Sequence, residues 1–226
     1  MGEEHTLTSE LWGMTFDWTA IISSVLVAAI VFIIVYVAAR GCTLAPKAKG
    51  MQNLLEMGID FARSMIDTGI DDRVLAGKLL PFVFMLFMYV FVANQFGLLI
   101  SAITTEHLVL LKSPTADISV VLSLSVLVSV IAQYVGIKRS IKSYLISFLN
   151  PFHILEEFIK VFTHTLRLFA NIFVGELLLG LMLHGNALLL GIPILAWIGF
   201  SLIIGLIQAY IFTTLTAVYI GQKVTH

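Results

Sequence analysis

Three polar residues stand within a run of sequence that is otherwise almost wholly apolar. Arg167, Asn171 and Glu176 belong to the stretch Leu-Arg167-Leu-Phe-Ala-Asn171-Ile-Phe-Val-Gly175-Glu176, and apolar residues continue to Leu183. A charged side chain near the bilayer centre costs about 2.5–3.5 kcal/mol on insertion scales, and it is kept mainly where it lines a pathway or finds a partner. Arginine stays protonated at any relevant pH, so it cannot relay protons by titrating. It can instead hold a carboxylate on a partner ionised and block ions from passing straight by it. A glutamate can take up and release a proton.

The residues before Arg167 extend this chemistry. At roughly 100° per residue, with Arg167 as zero, Glu156 falls near −20°, Lys160 near +20°, Thr163 near −40°, His164 near +60° and Asn171 near +40°. These residues share one stripe of a helix. Glu176 falls about 180° away and roughly 13–14 Å further along the axis, so it is no intrahelical partner of Arg167. The last apolar stretch adds a second polar side, because Ser201, Gly205, Gln208, Phe212 and Tyr219 recur at helical spacing. Two polar routes on opposite faces and opposite sides of a fixed cation could deliver and remove ions without a continuous pore.

Structural roles for the same residues stay open. Glu156, Glu157 and Lys160 could reach the interface by snorkelling. His164 could be a hydrogen-bonded core histidine, and Asn171 could bridge helices. Gly199 and Gly205 would allow close helix packing. Arg167 and Glu176 are harder to explain this way, because apolar neighbours surround each of them.

The composition fixes the setting. Of 226 residues, 59% are hydrophobic and 12% charged, and the mean hydropathy is +1.00. Soluble domains hold about 25% charge, so this chain lacks the polar surface to cover itself. The expected fold is an all-α integral membrane protein forming a single membrane domain over residues 1–226. A net charge of −1 excludes a broad basic surface for nucleic acid. One cysteine, Cys42, permits no intrachain disulfide, and neither a metal-ligand cluster nor a cofactor motif is evident. The first residues lack the basic region of a cleaved signal peptide, so the first apolar segment is expected to remain.

Five crossings are expected, at about 18–39, 78–101, 115–137, 156–183 and 192–220, each long enough for a bilayer core. Between the first two, at about 47–73, Leu54, Leu55, Phe61, Ala62, Met65 and Ile66 alternate at helical spacing with Glu56, Asp60, Arg63 and Asp67. That pattern suits an amphipathic helix at the cytoplasmic interface, or a small packing helix. Glu3, Glu4, Glu10 and Asp17 precede the first crossing, whereas Arg40, Lys47 and Lys49 follow it. The positive-inside rule therefore puts the N-terminus outside and the C-terminus in the cytoplasm, with Lys138, Arg139 and Lys142 also inside. Pro81 is expected near the start of the second crossing. Ser119, Ser123, Ser125 and Ser129 in the third suit close packing or a polar route. No internal repeat of the kind that builds many transporters is visible, and hydrolase patterns such as His-Glu-x-x-His are absent.

The arginine stretch, together with Gln208-Ala-Tyr-Ile-Phe-Thr-Thr-Leu-Thr in the last crossing, closely resembles subunit a of F-type ATP synthase. Pro114-Thr-Ala-Asp117 and Asn150-Pro151-Phe add to the resemblance, which covers essentially the whole chain in order and looks bacterial. The resemblance implies a non-catalytic, proton-translocating stator subunit in the bacterial plasma membrane, with lipid around it. Its partners would be a ring of c subunits, the peripheral-stalk b subunits and the rest of the complex. It implies that Arg167 faces the ring carboxylate and that Glu176 belongs to the external half-channel. Asn171 and Gln208 would flank the arginine. Glu156, Glu157 and His164, in the cytoplasmic half of the same helix, are further candidates for proton translocation. Some members carry a histidine where this chain has Ser201, which leaves open whether Glu176 has a protonatable partner or whether water and Asp117 complete the route. The last two crossings would form a long, tilted hairpin against the ring. A self-contained ion-coupled secondary transporter is the alternative.

Overall fold

The computed structural model describes residues 8–11, 14–40, 42, 50–103, 113–139, 151–183 and 187–225. A short antiparallel ribbon comes first, β1 (Thr8–Leu11) with β2 (Met14–Asp17), pairing Thr8 with Asp17 and Leu11 with Met14. Six helices follow: α1 (Trp18–Arg40), α2 (Met51–Asp67), α3 (Arg73–Ile103), α4 (Ile118–Arg139), α5 (Pro151–Leu183) and α6 (Ala187–Thr225). All except α2 are long and apolar enough to cross a membrane. The chain is an all-α integral membrane protein with five candidate crossings, and the ribbon is its one departure from helix among the described elements.

Aspartates set three of the helix starts. The Asp17 carboxylate accepts from the Thr19 amide at 3.0 Å, Asp72 from Val74 at 3.0 Å and Leu75 at 3.3 Å, and Asp117 from Ser119 at 2.8 Å. Each satisfies amides that the first helical turn leaves without a partner. Asp72 explains why α3 starts at Arg73, five residues before the expected boundary. Pro81 consequently lies inside the helix. There its missing N–H removes one ladder bond. A 3₁₀ turn at Pro114–Ala116 precedes α4, so the third crossing begins at Ile118. The helix α5 starts at Pro151, where a proline is tolerated because that amide lacks a helical partner.

The amphipathic segment is helical over a shorter range than 47–73, and turn residues from Thr68 onward separate it from α3. Ala62, Met65 and Ile66 are buried, whereas Leu54, Met57 and Phe61 remain exposed beside the charged Asp60 and Arg63. Glu106, Lys142, Asn150, residues 184–186 and the basic residues Lys47 and Lys49 lie outside the described residues.

The core forms where α3 crosses the hairpin of α5 and α6. Phe84, Phe87 and Val90 of α3 meet Val121 and Val128 of α4, Leu168 and Ile172 of α5, and Ala209 and Phe212 of α6. Glycine is needed where α6 meets the turn before α3. A Cβ on Gly69 would stand 2.6 Å from the Val218 Cα, and one on Gly221 would run into the Gly69 carbonyl. At 33 and 39 residues, α5 and α6 would be about 50 and 58 Å long. A hydrocarbon core of about 30 Å cannot hold either one upright along its whole length.

Candidate functional site

The helix α5 buries Leu168, Ile172 and Leu179 in the bundle and turns Arg167 away from it. Arg167 is exposed, and it forms no ion pair among the described residues. Around it on the same outward side lie Thr163, Leu166, Val174, Leu177 and Leu181, also exposed. The cation therefore stands within an apolar, outward-facing surface.

The stripe seen in the sequence divides along its length. Glu156, Thr163 and Arg167 point outward, whereas Lys160 and His164 turn towards α4 and α6, and Asn171 towards α3 and α6. The dividing line follows from helix geometry, because residues at about +20° to +60° lie nearer the buried Leu168 side than residues at or below zero.

Beyond Arg167, towards the Glu176 end of the hairpin, lies a cavity of about 100 Å³. Asn171, Gly175 and Glu176 of α5, Asn94 and Leu98 of α3, and Trp197 and Ser201 of α6 line it. The three helices thus bring Asn171, Glu176 and Ser201 together. Asn94 donates its Nδ2 to the Gly205 carbonyl at 3.0 Å, while its Oδ1 and the Asn171 Nδ2 have no partner among the described residues. Buried amides of this kind are normally satisfied by water, and the volume has room for it. The indole Nε1 of Trp197 donates to the Gly175 carbonyl at 3.2 Å. Ser113, paired hydroxyl to hydroxyl with Thr115 at 3.1 Å, stands beside Gly97 next to Glu176. A Cβ on Gly97 would meet Ser113 and would lie 2.6 Å from the Glu176 Oε1.

At the other end of the hairpin, a smaller cavity of about 20 Å³ lies between α4, α5 and α6. Ser125, Glu157, Lys160, His164, Tyr219 and Lys223 are among its walls. The His164 ring packs on Phe212 with centroids 3.8 Å apart, and its Nε2 lies 3.5 Å from the Thr216 hydroxyl. Lys160 pairs with Glu156 at 2.8 Å, and Lys223 pairs with Glu157 at 2.8 Å. The Gln133 Nε2 donates to Glu157 at 2.6 Å.

Two candidates lie away from both cavities. Gln208 is buried in the core beside Ala209 and Phe212, and its Nε2 has no partner among the described residues. Asp117 caps α4 and is not among the residues lining the Glu176 cavity. The sequence reading did not single out Trp197, Ser113, Thr115, Gln133, Thr216 or Lys223 as site residues. Their roles depend on contacts between helices. The polar spacing on the last crossing could have flagged Thr216, since it lies one turn beyond Phe212.

The arrangement places one outward cation between two polar cavities that open on different helix pairs at opposite ends of α5. Such a geometry can bring protons to a titrating group carried on another surface and lead them away by a separate route.

Comparison with known proteins agrees with this geometry. The sequence family described as ATP synthase A chain matches residues 21–221. ATP synthase subunit a of Priestia megaterium is 40% identical over all of this chain and 99% of its own length. The proteins of the same name from Anoxybacillus flavithermus and Bacillus subtilis are 40% and 39% identical, covering 95% and 97% of both chains.

Proposed function

Because the chain belongs to the ATP synthase A chain family, we propose that it is the membrane stator subunit that couples proton flow to rotation. It is a component of the ATP synthase complex and a multi-pass protein of the bacterial plasma membrane. It conducts protons and leaves ATP chemistry to other subunits. Its N-terminus faces outside and its C-terminus faces the cytoplasm, as the basic clusters require.

A ring of c subunits covers the outward face of α5 and α6, and its moving carboxylate meets Arg167. Peripheral-stalk b subunits hold the chain against the torque. A proton enters from outside through the Glu176 cavity, past Ser201, Asn94 and Asn171, and neutralises the ring carboxylate. After the ring turns, the proton leaves along the outward stripe of Thr163 and Glu156. Arg167 stands between the two routes and prevents a short circuit, because a guanidinium neither gives up its proton nor lets a second cation pass. Gln208, on the core side, fixes the neighbouring packing.

The observation that carries this reading is the exposed Arg167 between the Glu176 cavity and the outward stripe of Thr163 and Glu156 on one helix. The family match does not favour a self-contained secondary transporter. ATP-driven proton pumping in inverted membrane vesicles tests the reading. Arg167→Ala is expected to abolish pumping while the complex still assembles. Normal pumping by that variant would overturn it.

A further inference from the structure

Two carboxylates and two ammonium groups meet at the Lys223 end of the hairpin, and they are sorted into pairs. The Lys223 Nζ lies 2.8 Å from the Glu157 Oε1. The Lys160 Nζ lies 2.8 Å from the Glu156 Oε1 and 3.6 Å from the Glu157 Oε1. Gln133 from α4 also donates to Glu157, and Lys160 donates to the Gln222 Oε1 at 3.0 Å. The pair made with Lys223 is the enclosed one. Its side chains are 8% and 16% exposed, against 57% for Glu156.

Helix geometry gives the two adjacent carboxylates different destinations. Relative to Arg167, Glu156 lies near −20° and Glu157 near +80°, so the first belongs to the outward stripe and the second to the bundle. Lys160, near +20°, stands between them and reaches both. An enclosed carboxylate that lacks a cation attracts the nearest ammonium strongly, because little water screens it. Lys223 supplies that cation from α6.

We propose that Lys223 is a positioning residue for the inner proton route: by neutralising Glu157 it leaves Lys160 with Glu156, at the foot of the stripe that leads to Arg167. Without Lys223, the Lys160 ammonium moves inward to Glu157, and Glu156 loses the ammonium now beside it. Glu157 itself serves the clasp and stands off the outward stripe. The proposal rests on the reading of Arg167 given above, since the stripe matters only if it serves that residue.

The test uses the whole complex in inverted vesicles, with pumping normalised to assembled complex. Lys223→Met is expected to lower pumping severalfold, because Glu157 then draws Lys160 away from Glu156. Lys223→Arg should retain most of it. The informative variant is Glu157→Gln with Lys223→Met. With no charge at 157 to draw Lys160 inward, this double variant is expected to recover most of the lost pumping. A role in packing alone predicts that it does no better than Lys223→Met, and that result would overturn the proposal. Normal pumping by Lys223→Met would overturn it too, as would failure of both Lys223→Met and the double variant to assemble. Arg167→Ala runs alongside. If it pumps, the reading of Arg167 falls; if it does not and Lys223→Met does, only the present proposal falls.

Discussion

The indole of Trp197 reaches across the hairpin to the carbonyl of Gly175, 3.2 Å away, one residue before Glu176. This bond ties α6 to α5 at the edge of the Glu176 cavity. Trp197→Phe keeps most of the ring and removes the donor. It is expected to destabilise the site by about 0.5–1.5 kcal/mol. Thermal unfolding of the purified complex would register the loss, with pumping reduced less than by changes at Glu176.

Glu176 and Ser201 face the same cavity, yet substitutions there are expected to differ. Glu176→Gln removes the titrating group and should lower ATP-driven pumping about 100-fold or more, as loss of one proton-transfer group does. Ser201→Ala should lower it by no more than about twofold, because a cavity this size holds water that can replace one hydroxyl. Equal losses from both variants would mean that the hydroxyl itself is an obligatory link.

Gly97 should tolerate nothing larger. A methyl group there meets the Ser113 side chain and lies 2.6 Å from the Glu176 Oε1, so the 3₁₀ turn or the carboxylate must shift. Gly97→Ala is expected to cost about 1–3 kcal/mol, as overpacking does, and to impair pumping in complexes that assemble. Wild-type pumping and unchanged thermal stability would show that the turn yields freely.

The ion pair of Asp72 with Arg139, at 2.7 Å, joins the start of α3 to the end of α4. The hydrogen bond from Arg139, aided by the Leu75 and Val74 amides, holds the Asp72 carboxyl below its ordinary value. A lowered folded value means that the contribution is complete above the ordinary carboxylate range and is lost as pH falls through the folded value. Thermal stability should therefore show no step from this pair between about pH 5 and 8, where the carboxylate is ionised in both states. Asp72→Asn should remove part of the loss seen on acidification. Both groups are substantially exposed, so added salt should weaken the pair.

Much of this was legible in the sequence because membrane helices announce themselves by length and apolarity. The crossing expected at 18–39 is a helix from Trp18 to Arg40, and the polar side of the last crossing does bury Gly205, Gln208 and Phe212. Boundaries moved where a local bond decided them: Asp72 drew α3 back to Arg73, and Pro114 gave α4 its 3₁₀ lead. Periodicity also joined Glu156, Lys160, His164 and Asn171 to Arg167. It could not say where on that arc the bundle begins, since neighbouring helices set the limit. Partners such as Lys223 for Glu157, or Trp197 for Gly175, depend on the register of the hairpin, and no local pattern encodes it. Asp117 has the right type for a proton route, yet the structure uses its carboxylate to cap a helix.

The outward position of Arg167 has a consequence for biogenesis. A newly inserted chain presents this guanidinium on an apolar surface with no counter-charge of its own among the described residues. Until another protein shields it, the orphan subunit bears a penalty of about 2.5–3.5 kcal/mol or more. Surplus copies should accordingly be short-lived, exposed to membrane proteases, and their abundance should track the supply of whatever protein closes over that face.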